Sequence, residues 1–477
     1  MMSYTDKKKH TKQLWKCIFI VYTVALFFLS PEKTPYGMSC FLTYVDLFLG
    51  IAVFWESDDV RVSNGVFLFW VISFIFSFGQ NLAYPMITDF NAVKNELLYR
   101  VRYNDEQMAI GTLYTLKAFN FMSLGLMVKG TQLFTVGAGK EKLRTGEDAI
   151  AISAGHVGRI LLLLGIIPQA QFIYLHLIQY LTVGYGESAV DQMSGLFLRL
   201  HYLFIPALII CFCSNKYRNK RTTLYSLLLL GQVLFFLFMG DRGTGLTILV
   251  TYMLMNATFD KSFSVKKYIL PSIIIVLLIP IVKYYRIFFT QGGTGAFTEA
   301  ISYSLKNNPI VDTLLETGGS QKILLLTISK VRQEGFAYGK AYLDFFIKMI
   351  PSFFGVETNY GTLAKWVIGT TGYQTQGYSI WGEAYLNFGQ FGIFFMFIIG
   401  RVFRYLLYTD RDNKNLFQTM RVSVALYFFA DVARRSISEF GYNFLYDLIL
   451  PLAVIYLCAS TIQKRERHRD TEEKTIG

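Results

Sequence analysis

The stretch TTLYSLLLLGQVLFFLFM (222–239), GDRGTG (240–245), LTILVTYMLMNATF (246–259) decides the class of fold. Two apolar runs close on six small or charged residues. A hydrocarbon core of ~30 Å is crossed by a helix of ~20 apolar residues, so each run reads as a membrane helix and the hexapeptide as a turn at the membrane boundary. That turn holds Arg242 between glycines, next to Asp241. An arginine at the edge of lipid needs an anionic partner, and glycines allow backbone amides to approach the same anion.

The rest of the chain agrees with a membrane reading. Of its residues 53% are hydrophobic, 17% aromatic and only 17% charged, with a mean hydropathy of +0.37. A soluble domain carries about 25% charged residues. Working outward, apolar runs recur at 14–30, 38–55, 66–86, 108–128, 160–182, 196–213, 222–239, 246–259, 268–289, 380–402, 416–433 and 442–459. The expected fold is an all-α polytopic membrane protein of about twelve transmembrane helices. It divides into an N-terminal bundle of about nine helices (1–289), a long loop (290–379), and C-terminal helices with a basic tail (380–477). Cys17, Cys40, Cys211, Cys213 and Cys458 show neither disulfide nor zinc spacing, so no metal is expected.

Lys and Arg orient such a bundle by remaining in the cytoplasm. Lys7, Lys8, Lys9 and Lys12 precede the first run, which reads as a retained helix because no small-residue cleavage pattern follows it. With the N-terminus inside, the cytoplasmic stretches hold Lys140, Lys142 and Arg144, then Lys216, Arg218, Lys220 and Arg221, then Lys261, Lys266 and Lys267. Arg404, Arg411 and Lys414 follow, and the tail ends in Lys464, Arg465, Arg467 and Arg469, so both termini are cytoplasmic. The acidic turn at Glu56, Asp58 and Asp59 and the outer stretch with Lys94, Arg100 and Arg102 run against this trend, and the other loops outvote them. Much of the net charge of +13 is therefore topogenic, which removes nucleic acid as a partner.

This orientation makes 290–379 extracytoplasmic. Within it, residues 336–354 suit a short amphipathic helix on the membrane boundary. The same topology gathers Arg242, Arg286, Glu383, Asp431, Arg434, Arg435 and Glu439 at the outer rim. A rim arginine often anchors lipid phosphate, and Arg434 and Arg435 have Asp431 and Glu439 as ready ion-pair partners. Convergence argues for more, since basic residues avoid short outer loops and guanidinium binds phosphate oxygens in a bidentate fashion. Lys117, mid-span, reads equally as facing a cavity or snorkelling, and His176 and His201 read as packing residues. GDRGTG spells like a phosphate loop but lacks the strand–loop–helix setting and the Lys-Ser/Thr pair, so an ATPase is rejected.

Three pieces give the chain its resemblance to a family. They are Gly240–Asp241–Arg242–Gly243 closing an apolar helix, Phe336-Ala-Tyr-Gly-Lys-Ala-Tyr-Leu with the later Ile350–Pro351, and Gly377-Tyr-Ser-Ile-Trp-Gly-Glu-Ala-Tyr-Leu-Asn-Phe-Gly. The last resembles the Glu-x-Tyr-x-Asn-Phe-Gly signature of bacterial O-antigen and capsular polysaccharide polymerases (the Wzy family), here Glu383, Tyr385, Asn387, Phe388 and Gly389. The resemblance implies a GT-C-like helical bundle in the bacterial cytoplasmic membrane. It implies a glycosyltransferase joining oligosaccharide repeat units carried on undecaprenyl diphosphate, without metal or other cofactor, alongside a flippase and a chain-length regulator. The Arg-x10-Gly pattern of some relatives is not reproduced at Arg286, where the residue eleven positions on is Phe297.

Such a reaction needs a stabilised diphosphate leaving group and help in deprotonating the acceptor hydroxyl. Arg242 and Arg286 are the candidate diphosphate ligands, with Arg434 or Arg435 on the second lipid or the developing charge. Glu383 is the candidate base or sugar ligand, with Asp241 and Asp431 next in line. Asn387, Tyr338 and Tyr378 complete the candidate substrate-binding set, the tyrosines by stacking on sugar faces. Two rivals remain: an O-antigen ligase, whose expected outer-loop histidine is missing from 290–379, and a lipid-linked oligosaccharide flippase, which would show related halves and a polar path through both leaflets.

Overall fold

The computed structural model describes residues 4–476 apart from 57–63, 88–103, 129–139, 183–192, 240, 261–279, 283, 286–287, 289–294, 307, 351–353, 370–376 and 410–414. Its regular structure is helical, with no strand among the described residues. In order come α1 (Tyr4–Phe28), α2 (Tyr36–Glu56), α3 (Gly65–Ala83), α4 (Asp105–Met127), α5 (Lys140–Thr182), α6 (Gly195–Tyr202), α7 (Phe204–Tyr217), α8 (Thr223–Met239) and α9 (Arg242–Phe259). They are followed by α10 (Ala296–Lys306), α11 (Pro309–Thr317), α12 (Ser320–Glu334), α13 (Lys340–Ile347), α14 (Leu363–Ile368), α15 (Ile380–Phe388), α16 (Gly392–Leu407), α17 (Leu416–Phe429) and α18 (Leu450–Ile476). A π-helical turn, Asn443–Ile449, leads into α18.

Among the described residues, seven helical stretches are long and apolar enough to cross a membrane: Tyr36–Phe54, Gly65–Met86, Gly146–Gln179, Gly195–Tyr217, Ile380–Leu407, Leu416–Arg434 and Asn443–Glu466. Gln13–Phe28 and Thr223–Met239 are shorter apolar helices. Most of the run at 268–289, the basic stretch with Lys94, Arg100 and Arg102, and the acidic Asp58 and Asp59 lie outside the described residues.

Packing groups the chain otherwise than hydropathy does. One compact unit comprises Met1–Lys129, Ser264–Tyr405 and Phe429–Gly441; the other comprises Gly130–Phe263, Leu406–Phe428 and Tyr442–Gly477. Residues 290–379 fall within the first unit.

The first unit is built on α3 and α4. Asn64 caps α3 through Val66, and Asn104 and Gln107 form a reciprocal capping box that starts α4. Trp70, Phe74, Phe78, Phe119 and Trp381 pack ring against ring in the core, and the two indoles donate to Ser123 and Ser77, each at 3.0 Å. Without water in a bilayer core, such polar tips need partners inside the protein.

Loop helices α11 and α12 lie directly against α3. Gly79 and Gly318 meet backbone to backbone: a Cβ on Gly79 would stand 2.3 Å from the Leu314 carbonyl oxygen, and one on Gly318 2.3 Å from the Gln80 nitrogen. This approach lets Gln80 donate to the Leu315 carbonyl at 3.3 Å, Gln321 to Asn81 at 2.5 Å and Ser320 to the Phe76 carbonyl at 2.7 Å. The Nζ of Lys117 donates to the Leu29 carbonyl at 2.9 Å.

The run expected as one continuous helix over 380–402 is interrupted. Gly389 takes φ +57°, in the left-handed region that disfavours a side chain, and a Cβ there would stand 2.8 Å from the Phe336 ring. The helix therefore ends at Phe388 and restarts at Gly392 after a 3₁₀ turn.

In the second unit, α5 packs along α7 and α18, and α8 returns on α9. Gly158 and Gly165 of α5 face Cys211 and the Phe204 backbone, so these helices pack through small residues.

Candidate functional site

The motif Gly377–Gly389 builds the site in the first unit. Ser379 starts α15 by accepting from the Gly382 amide, which places Glu383 in the first turn. Glu383 is fully buried. Its carboxylate accepts from two backbone amides fifty-odd residues on in the chain: Oε2 from Ile437 at 2.5 Å and Oε1 from Ser438 at 3.0 Å. A buried carboxylate is tolerated only when its lone pairs are met, and here donors on both oxygens do so.

The amides belong to a tight turn that follows α17. Residues Val432–Arg434 and Ile437–Phe440 are 3₁₀ turns, with Arg434 N–H donating to the Asp431 carbonyl at 2.8 Å and Arg435 N–H to Val432 at 3.1 Å. The segment is fastened at both ends by glycines. A Cβ on Gly377 would stand 2.1 Å from the Arg434 carbonyl oxygen, and one on Gly441 2.0 Å from that of Phe345 in α13. Arg434 and Arg435 are thereby neighbours on a turn whose backbone is closely packed.

Their side chains differ. The Arg434 guanidinium lies 5.5 Å from the centre of the Phe76 ring. Arg435 pairs with Asp431 at 2.9 Å, its own side chain 39% exposed and that of Asp431 6%, and it lies 5.8 Å from the Phe440 ring. Burial pushes the nearby Glu439 carboxyl above its ordinary range, while Lys348 and Arg435 pull it back down.

The second half of the motif ties α15 to the loop. Asn387 accepts from the Ala341 amide at 3.2 Å and donates to the Glu383 carbonyl at 2.9 Å, and the Ala337 amide donates to the Leu386 carbonyl at 2.8 Å. Within 336–354 the structure has α13, which packs on the Ile437–Phe440 turn. Its buried Asp344 repeats the device of Glu383, accepting from the Asn359 and Tyr360 amides at 2.8 and 3.0 Å.

The expected site residues are distributed as follows. Glu383, Asn387, Asp431, Arg434 and Arg435 come together around one turn. Tyr338 is 78% exposed and holds φ +47°. Tyr378 is instead a core residue, 1% exposed, its hydroxyl 3.2 Å from that of Thr327, so it has no open face for a sugar. Asp241, in the second unit, is the N-cap of α9, accepting from the Thr244 amide at 3.2 Å and its hydroxyl at 2.7 Å. Gly243 and Gly245 lie in the first turn of that helix rather than in a cradle, and Gly245 packs against Leu237 and Val233. The Arg242 side chain and Arg286 altogether lie outside the described residues.

Sequence reasoning did not single out Tyr342. Among the described residues its hydroxyl is buried without a hydrogen-bond partner, and burial, with Glu383 close by, pushes the phenol well above its usual range. It sits in the Phe336-Ala-Tyr-Gly-Lys-Ala-Tyr-Leu segment, which was the available signal.

A family model described as O-antigen polysaccharide polymerase Wzy matches residues 14–466. Comparisons with curated proteins and with solved structures gave no match. A match over nearly the whole chain settles descent: this multi-pass helical chain belongs to the O-antigen polysaccharide polymerase Wzy family.

Proposed function

We propose that this polymerase joins oligosaccharide repeat units carried on undecaprenyl diphosphate into O-antigen or capsular polysaccharide at the outer face of the cytoplasmic membrane. In this reading about twelve spans form a GT-C-like bundle, both termini are cytoplasmic, and a flippase and a chain-length regulator work beside it. The acceptor sugar hydroxyl attacks the anomeric carbon of the donor. The C–O bond to the lipid diphosphate breaks, the hydroxyl proton passes to a base, and undecaprenyl diphosphate leaves.

The observation that carries the proposal is the turn presenting Arg434 and Arg435 side by side, fixed by the buried Glu383 carboxylate. Guanidinium groups carried on a backbone turn packed in this way offer charge where the leaving diphosphate develops it. Both Glu383 oxygens are engaged by amides, which supports a positioning role for it and leaves Asp431 as the base candidate within reach of Arg435. Tyr342 adds an unsatisfied hydroxyl for a sugar. Arg242, Arg286 and Asp241 remain proposed as diphosphate ligands from their place in the sequence.

The test is purified protein in nanodiscs with lipid-linked repeat units and no nucleotide, with product length read on a gel. Wild type should yield a ladder, and Arg434→Ala and Arg435→Ala should lose it at unchanged melting temperature. No polymer from wild type, or ladders from both variants, overturns the proposal.

A further inference from the structure

Helix α13 is patterned the wrong way round for water. Its buried face holds Ala341 and Asp344, the carboxylate taken up by the Asn359 and Tyr360 amides. Its open face holds Leu343 and Phe346, which are 55% and 62% exposed. Ile350, 43% exposed, follows in the closing turn, its amide donating to the Ile347 carbonyl at 2.9 Å. Spacings of three and four residues put all three on one side of the helix. A helix bathed in water hides its apolar residues and shows its acid. Here the acid is inside and the apolar residues are outside, which marks the open side as an interaction face.

What covers that face follows from what it adjoins. Rings fasten α13 to the membrane-length helical stretch Ile380–Leu407: Tyr342 lies 4.5 Å from Phe395 and 6.0 Å from Phe388, and the Phe336 ring lies against Gly389. Before that point, α15 shows no exposed residue. After it, Phe391, Phe394, Ile398, Val402 and Tyr405 form an exposed apolar stripe with spacings of three and four residues. On a spanning helix such a stripe is the side that meets lipid. α13 therefore sits where the lipid-facing stripe begins. Tyr338 and Lys340, both exposed, stand at its N-terminal end. A phenol and an ammonium beside an apolar face suit a bilayer boundary, with rings and stems among acyl chains and polar tips at the headgroups.

We propose that α13 is seated in the bilayer boundary, with Leu343, Phe346 and Ile350 among the acyl chains and Lys340 at anionic headgroups, and that this seating sets the depth of the arginine turn. The link to the turn is direct. α13 packs on Ile437–Phe440, and Gly441, the next residue, lies against the Phe345 carbonyl without room for a side chain. The seating in lipid stands by itself, while its consequence for polymer rests on the polymerase reading.

The test reads depth in the full chain, reconstituted in nanodiscs of phosphatidylcholine and phosphatidylglycerol. The exposed Cys17 and Cys458 are replaced by serine, and a nitroxide is attached in turn to Leu343→Cys, Phe346→Cys and Ile350→Cys. Ile398→Cys is the lipid-facing standard and the exposed Glu357→Cys the water-facing one. Oxygen concentrates in lipid and a nickel chelate stays in water, so the ratio of their collision rates with the label reports the medium. At the three α13 positions the ratio should match Ile398 and exceed Glu357 several-fold. A ratio like that of Glu357 puts the face in water, and shielding from both reagents puts protein over it, a second copy included; either overturns the proposal. Leu343→Glu combined with Phe346→Glu should release the face, lowering the ratio at Ile350→Cys, and should shorten the polymer at unchanged melting temperature, whereas Phe346→Leu should change neither. Release of the face with an unaltered ladder overturns the setting of depth. The labels report without turnover, so lipid contact in a protein that makes no polymer sinks the polymerase reading alone.

Discussion

Asp241–Arg242 and Asp431–Arg435 look alike as sequence: a carboxylate with arginine close by, next to an apolar helix. In the structure they are built by different means. Asp241 is satisfied by Thr244, three residues on, and would make the same contacts in an isolated helix. The arginine turn is assembled from Gly377 and Glu383 before and within α15, Phe345 of α13 and Phe76 of α3. The first is local and replaceable; the second exists only when the whole unit is folded. A turn of that kind can hold two charged groups in fixed geometry, because its neighbours leave it no alternative position.

The contrast can be broken or sharpened by substitution. Glu383→Ala should have the largest effect, since it leaves two buried amides without acceptors at ~1–3 kcal/mol each. A fall in melting temperature together with loss of polymer is expected, while Arg434→Ala loses polymer alone; an active, equally stable Glu383→Ala protein would dissolve the distinction. Gly377→Ala comes next. The added methyl must displace the Arg434 carbonyl, at an expected cost of about 1–3 kcal/mol for overpacking and with shortened product. Asp241→Ala should cost about 1 kcal/mol as a lost helix cap, and Asp241→Asn, another good cap, should be nearly silent. Were Asp241→Asn to abolish polymer without changing stability, the local turn would be a reaction site as well.

The helices were readable because hydropathy is a local property: the runs at 38–55 and 66–86 reappear as α2 and α3 with small changes at their ends. The interruption at Gly389 was not read, since Phe388 and Phe391 keep the run apolar across it; the spacing of Gly389 and Gly392 was the available sign. At the site, the motif residues were visible but not their task. Glu383 meets Ile437 and Ser438 through backbone amides, which every residue possesses, so no sequence pattern announces the partner. Tyr378 looked like a loop aromatic because its burial depends on Thr327, in a helix of the same long loop. Asp241 followed the ordinary rule for a helix start, and its capping was open to prediction from Thr244 alone.

The contact of α3 with α11 and α12 sets an order of events during synthesis. Gln80 and Asn81 find Leu315 and Gln321 only after some 235 and 240 further residues have been made. At the usual elongation rate of ~5–20 residues per second, α3 waits roughly 10–50 s for the acceptor of its Gln80 amide, while Asn81 already has Tyr36, Cys40 and then Thr112 as partners. During that interval the nascent chain is exposed to membrane proteases and to insertion machinery that recognises polar groups in a helix. Truncation just before residue 315 should therefore shorten the lifetime of everything already inserted, whereas truncation after 334 should spare it.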